Sequence, residues 1–167
     1  MSTKKNTVLL FCGNNYFGIL PEKSNNCSAK GVKFIYPPIQ SRINISTLSS
    51  YFVSESNSIW TTKDGKAYAI GSNSRGKISP SLPEKLEKET EIIITESDGH
   101  KCKVISAASS LLFRLFLVSQ SDGTNQLVYN YYKENDGKPL FVNIGDRKPI
   151  AIFTGYDNSA AIDSEGI

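Results

Sequence analysis

The side chains best able to do chemistry are few in this chain, and each also has a plainer structural account. His100 is the sole histidine and follows Asp98-Gly99. A metal site there would have to recruit distant ligands. An imidazole base would need a nucleophile and an orienting group that no nearby residue supplies. A solvated turn histidine is the simpler reading. The run Gly71-Ser72-Asn73-Ser74-Arg75-Gly76-Lys77 follows a strand pattern and satisfies most of a phosphate loop, with backbone amides and Lys77 placed to cradle phosphates. Position 78 is Ile rather than a magnesium-binding hydroxyl, and Pro80 and Pro83 stand where a helix should start. Glycines that serve a turn explain the run without a nucleotide.

Asp64 and Asp122 could form a carboxylate pair for glycoside hydrolysis, but each directly precedes a glycine, so turn formation explains both. Cys12, Cys27 and Cys102 follow no metal spacing, and Cys12 sits in an apolar run as a small hydrophobe. Trp60, the only tryptophan, reads as core, with a stacking platform for sugar or peptide as the alternative. Arg75 and Lys77 fall in a loop expected to be exposed. They are the pair expected to touch a partner, against ordinary surface charge as the bland alternative. No catalytic, cofactor-binding or metal-binding residue is assigned.

Composition narrows the classes. The formal net charge is +3, and the basic groupings are small: Lys4-Lys5, Lys101 with Lys103, and Arg147-Lys148. Nucleic-acid binding needs a concentrated basic face, so it is not expected. Three scattered cysteines cannot all pair, which suggests a reducing compartment and a cytoplasmic or nuclear protein. The apolar run Val8 to Cys12 is too short for a signal-peptide core, and Arg114 interrupts Leu111 to Val118, so no membrane segment is expected. The sequons at Asn26 and Asn44 are expected by chance in a chain rich in Asn and Ser.

The elements that would position these groups read as strands. Short runs rich in Val, Ile, Phe, Tyr and Thr occur at 7–12, 31–36, 50–54, 58–62, 66–71, 91–95, 102–108, 113–119, 126–132, 139–143, 149–154 and 158–163. Asp64-Gly65 and Asp122-Gly123 mark hairpin turns, because glycine takes positive φ cheaply and aspartate bonds its own backbone. Residues 83–91 have one apolar anchor, Leu86, and are expected to form a turn or two of helix or a charged loop. Segments 20–30 and 72–90 read as long loops.

The chain also matches itself. Aligning Gly13 with Gly71 aligns Asn15 with Asn73 and Gly18 with Gly76, and the same offset carries Asp64-Gly65 onto Asp122-Gly123. Asn57 to Gly65 pairs with Asn158 to Gly166. Matches at one coarse period mark stacked supersecondary units, here expected at 1–57, 58–115 and 116–167 in a single fragment spanning 1–167. Four strands per period suit the blade of a propeller. The fold expected is therefore all-β, a propeller-like stack of about three four-stranded antiparallel blades, with a β-sandwich as the alternative. Ala107, Ala108, Ala160 and Ala161 would suit crowded strands near a shared axis.

The run from Asn57-Ser58 through Asp64-Gly65 and Tyr68 to Gly71-Ser72-Asn73-Ser74-Arg75-Gly76 resembles the regulator of chromosome condensation repeat. Gly13, Asn15 and Gly18 carry the loop of a first copy, and Gly155-Tyr156-Asp157-Asn158-Ser159 the strand entry of a last. Asn57 and Asn158 stand where that family has histidine, and Lys77-Ile78-Ser79 replaces its closing Gln-Leu-Gly. The resemblance implies membership of a seven-bladed propeller, which needs more than twice this chain. Three blades alone would leave unpaired edges, so the chain is expected to be partial or to pair with the remainder of its propeller.

For function, the resemblance implies a protein-protein interaction scaffold with no cofactor. A guanine nucleotide exchange factor or regulator of a small GTPase is one alternative, because the family includes an exchange factor that binds chromatin. A β-fold hydrolase is the other, and it would need a facing carboxylate pair.

Overall fold

A computed structural model describes residues 10–14, 34–40, 43–110, 113–131 and 140–166. Among them the regular structure is all strand apart from a 3-10 turn at Ser74–Gly76. Twelve strands run in order: β1 (Leu10–Asn14), β2 (Phe34–Gln40), β3 (Leu48–Val53), β4 (Asn57–Thr62), β5 (Ala67–Ser72), β6 (Lys85–Ile92), β7 (Lys103–Ser109), β8 (Phe113–Ser119), β9 (Asn125–Tyr131), β10 (Leu140–Val142), β11 (Pro149–Thr154) and β12 (Ser159–Asp163). They form antiparallel sheets β3-β4-β5-β6 and β7-β8-β9-β10, flanked in the chain by the two-stranded sheets β1-β2 and β11-β12. Asn15 and Gly18 lie outside the described residues.

The stacking follows from side-chain parity. β8 is buried on both faces, so it reads as a continuous apolar run rather than an alternating one. Its side chains still alternate sides. Phe116 and Val118 join Ile59, Ala69, Leu86, Val104 and Ala107 in a core against β3–β6. Leu115 and Leu117 join Ala108, Leu127 and Ile152 in a core against β11–β12. Each of the Val, Leu, Ile and Phe side chains contributes about 1.5–3 kcal/mol on burial, and each alanine methyl less than that. The first strands of successive sheets lie together: β7 packs on β3 and β4, and β11 packs on β7, β8 and β9. Thr61 reinforces the first junction by donating from Oγ1 to Ile105 O at 3.1 Å. Ala107 and Ala108 are buried on opposite faces of β7, as crowding there requires, whereas Ala160 is exposed.

One turn recurs. Gly65 N donates to Thr62 O and Gly123 N to Gln120 O, at 2.9 and 3.0 Å. The two glycines have φ of 85° and 84°. Gly99 on Glu96 and Gly166 on Asp163 repeat the bond. This is a tight turn followed by a left-handed glycine, which suits the twist of a hairpin.

Several expectations need correction. From Lys85 the segment 83–91 is neither helix nor loop, because Lys85–Ile92 is the outermost strand of its sheet, and the long loop expected at 72–90 ends there. The strand expected at 91–95 accordingly ends at Ile92, and only a single bridge, Thr95 to Lys101, lies beyond. Gly13 and Gly71, expected in turns, instead lie within β1 and β5, one residue before each strand ends. Both mark the same irregularity. The register of β1 on β2 shifts between Phe11 and Gly13, and that of β5 on β6 between Ala69 and Gly71. At Gly71 the φ is +105° and an added Cβ would lie 2.6 Å from Ser56 O, so a side chain is excluded. The boundaries at 57/58 and 115/116 fall inside β4 and β8, so the sequence unit and the sheet are out of phase.

Candidate functional site

Two features stand at opposite ends of the sheets. At the end carrying the β3–β4 and β7–β8 turns, a band of buried polar side chains joins the sheets. Asn57 is fully buried and donates from Nδ2 to Ser72 O at 3.1 Å. Its Oδ1 accepts from Ser109 Oγ of the next sheet at 3.0 Å and from Ser54 Oγ at 3.1 Å. Asn73, also fully buried, holds the connection from β5 to β6. Its Nδ2 faces Ser79 O, Leu82 O and Pro83 O at 2.9–3.0 Å, and its Oδ1 accepts from Ile78 N and Ser79 N. Asn130 Nδ2 of the next sheet donates to Ile78 O at 2.9 Å.

This placement corrects the expectation that Lys77 is exposed, although Ser74, Pro80 and Ser81 of the same loop are exposed. Lys77 is only 6% exposed and donates from Nζ to Ser56 Oγ at 2.9 Å, so it ties the connection inward. Arg75 lies in the 3-10 turn between Asn73 and Lys77. The loop that resembled a phosphate cradle is occupied by its own side chains: Asn73 already takes the amides of Ile78 and Ser79.

Arg114, which interrupts the apolar run 111–118, is fully buried between Ser109 and Asn130 in the sheet, and Nη1 donates to Ser110 O and to Phe113 O, the latter at 2.6 Å. Among the described residues Nε and Nη2 have no hydrogen-bond partner. Loss of solvent pushes the guanidinium down to about 9. A lone cation inside an otherwise apolar strand was the available signal, since buried charge is costly unless it has a role.

At the other end an open groove of about 810 Å³ runs between the β8–β9 turn and the β10–β11 connection. Carboxylates (Asp122, Asp146), cations (Arg147, Lys148) and carboxamides (Gln120, Asn143) line it together with the apolar Phe141, Val142 and Ile144. Its walls are pinned. Asn125 Nδ2 donates to Pro149 O at 3.1 Å, and Arg147 Nη1 reaches the buried Asp163 carboxylate at 2.7 Å. Such a surface offers charge and hydrogen bonds of both signs on a rigid frame, which suits non-covalent recognition.

The remaining candidates are not brought together. Asp64 and Asp122 occupy equivalent turns but border two separate hollows, so they do not form a carboxylate pair. The Thr62 hydroxyl holds Asp64 below the usual carboxylate range, and the Thr124 hydroxyl and amide do so for Asp122, as expected of turn residues. His100 Nδ1 meets Asp98 Oδ2 at 2.9 Å in an exposed hairpin. That bond raises the imidazole pKa, while the His100 amide and ring lower the Asp98 carboxyl. Cys102 is a free, buried thiol, and burial pushes its pKa up. Trp60 is 3% exposed and stacked between Tyr51 and Tyr68 at 5.8 Å from each, so it is no platform for a ligand. Gly155 N bonds Asn158 O in the β11–β12 turn. Among the described residues no three His, Cys, Asp or Glu side chains are grouped to hold a metal, and no helix is long and apolar enough to cross a membrane.

No family model and no curated protein matches the sequence. Solved structures do. The crystal structure of human WBSCR16 superposes with a TM-score of 0.69 at 12% identity, over 96% of this chain and 46% of its own. Prp20p of Saccharomyces cerevisiae, which binds Gsp1p and histones, superposes at 0.61 and 15% identity, over 94% and 40%. The fold is a partial β-propeller of the regulator of chromosome condensation type. The chain spans less than half the length of either neighbour.

Proposed function

We propose that this chain serves as a protein-binding scaffold, with the groove between the β8–β9 turn and the β10–β11 connection as its contact surface. The observation that carries this is the pinned groove itself, where mixed charge is held on strands by the Asn125–Pro149 and Arg147–Asp163 bonds. Preordered polar walls lower the entropy lost on binding and give specificity through charge complementarity. The Thr124 hydroxyl meets the Asp122 carboxylate there at 2.7 Å as part of a tight turn, a contact the turn itself explains, so the reading rests on recognition by the mixed charge. Fold alone does not choose the partner. A propeller neighbour that binds a small GTPase and histones makes those two classes the first to test, with exchange activity on the GTPase as the finer alternative. Such a role would suit a nuclear or cytoplasmic protein.

The test uses the full chain, a purified small GTPase of the Gsp1p type and purified histones in a binding titration. Asp146→Lys and Lys148→Glu reverse the groove's charge, and the reading expects each to weaken binding at least tenfold. Release of labelled nucleotide from the GTPase is followed in parallel. Faster release supports exchange, whereas binding without release supports the scaffold alone. Binding that both reversals leave unchanged would exclude the groove.

A further inference from the structure

Within the run Phe113-Arg114-Leu115-Phe116-Leu117-Val118 one cation stands among apolar residues, and strand parity decides where it goes. Arg114 shares the parity of Phe116 and Val118, which pack in the core against β3–β6. Residues paired with it across the sheet face the same way. Ser109, opposite it on β7, gives its hydroxyl to Asn57 Oδ1. Asn130, opposite it on β9, gives Nδ2 to Ile78 O. The guanidinium therefore enters the seam between the two four-stranded sheets, flanked by two polar side chains already committed across it. Lys77, next to Ile78 in the chain and bonded to Ser56 Oγ, brings a second buried cation to the same polar band.

The guanidinium is used on one corner only. Nη1 donates to the carbonyls of Ser110 and Phe113 and so holds the β7–β8 turn. Among the described residues Nε and Nη2 have no hydrogen-bond partner, and no carboxylate pairs with Arg114. The N–H bonds of these two nitrogens run nearly parallel along one edge of the planar group. That edge is the fork with which arginine grips an anion at two points. Arg114 stays cationic at neutral pH, since loss of solvent lowers its pKa only to about 9. A buried charge is costly unless it is paired and hydrogen-bonded. The seam thus offers a charge and an aligned pair of donors, with no counter-charge among the described residues.

We propose that the Nε–Nη2 fork of Arg114 binds a small monovalent anion of the halide class, enclosed between the two four-stranded sheets. Burial selects the occupant. A carboxylate or phosphate carried on a macromolecule needs an opening for the chain that bears it, and Arg114 is fully buried. Free phosphate brings up to about two charges and at least three acceptor oxygens, more than one fork can satisfy. A halide has one charge to match one guanidinium and no further acceptor atoms to satisfy. An enclosed ion is taken up as the sheets pack, so its binding appears as folding stability. The site lies at the opposite end of the sheets from the groove and does not depend on it.

The experiment follows urea unfolding of the full chain on Trp60 fluorescence while sodium chloride replaces sodium methanesulfonate at constant ionic strength. For a dissociation constant of about 30 mM or below, the folding equilibrium constant should rise about tenfold or more between ~3 and ~300 mM chloride. Arg114→Met keeps the length of the side chain and removes the fork. Its stability should not respond to chloride, and in methanesulfonate alone it should match or exceed wild type, because an apolar side chain replaces an uncompensated ion. Arg114→Lys keeps the charge without the fork and should respond less than wild type. Chlorine magnetic resonance gives a direct reading. Folded wild type should broaden the chloride line, and bromide or unfolding in urea should remove the broadening. Should Arg114→Met fail to fold, this measurement on wild type decides, and absence of the broadening overturns the site. A wild type indifferent to chloride, an equal response in Arg114→Met, or stabilisation by acetate and not by chloride would also overturn the proposal.

Discussion

Asn73 offers the sharpest test of how the connection between the first two complete sheets is held. Its carboxamide has two N–H donors facing three carbonyls and one oxygen accepting two amides, all from residues 78–83. The residue is fully buried, so water cannot replace these bonds in Asn73→Ala without opening the connection. Four satisfied interactions at about 1 kcal/mol each give a loss of about 3–4 kcal/mol. For a chain of this size that lowers the melting temperature by about 6–16 °C. Asn73→Asp separates the two halves of the group. The oxygen that accepts from Ile78 and Ser79 is kept, while the donor becomes a second carboxylate oxygen facing three carbonyls. Burial and that repulsion raise the folded-state pKa of the new carboxyl above the unfolded value of about 3.9. A raised acid contributes its stability below the unfolded pKa and loses it as pH rises through the folded one. The deficit of Asn73→Asp relative to wild type should therefore be large at pH 7 and shrink toward pH 4, followed by urea unfolding on Trp60 fluorescence. A deficit for Asn73→Ala below about 1 kcal/mol, or one for Asn73→Asp that grows on acidification, would refute the reasoning.

Gly71→Ala should cost well over the ~1 kcal/mol of a left-handed conformation alone, because its Cβ meets Ser56 O at 2.6 Å; Gly123→Ala, with nothing within 4 Å, should cost only that conformational amount in the same urea assay. The His100 ring should titrate above an ordinary imidazole by NMR and fall back in Asp98→Asn, since the Asp98 carboxylate is the main cause of the raised pKa. Cys102 should react with a thiol reagent at pH 8 at least tenfold more slowly in the folded chain than in urea, read by peptide mapping, because burial shields it and raises its pKa.

The strands of the two complete sheets were mostly legible because their patterns are local. The expected 113–119 and 149–154 coincide with β8 and β11, and most others differ by a residue or two. β6 was not legible by composition, since Lys and Glu are weak strand formers. Yet Leu86, Thr90 and Ile92 share one parity, and an outermost strand is where charge protects a free edge. The groove was hidden for another reason. Its walls come from Gln120–Gln126 and Phe141–Lys148, segments joined only by the fold, so no spacing in the sequence announces it. Lys77 is the reverse case, since a cation in a polar loop reads as surface but is buried against Ser56.

The grip of Asn130 on Ile78 O has a mechanical consequence. A blade held only by face-to-face apolar contact could slide or peel from its neighbour with little resistance. Here a side chain of one sheet holds the backbone that leaves the previous one, like a stitch through the seam. Pulling on one sheet loads the next, so under force these two should rupture together rather than one after the other.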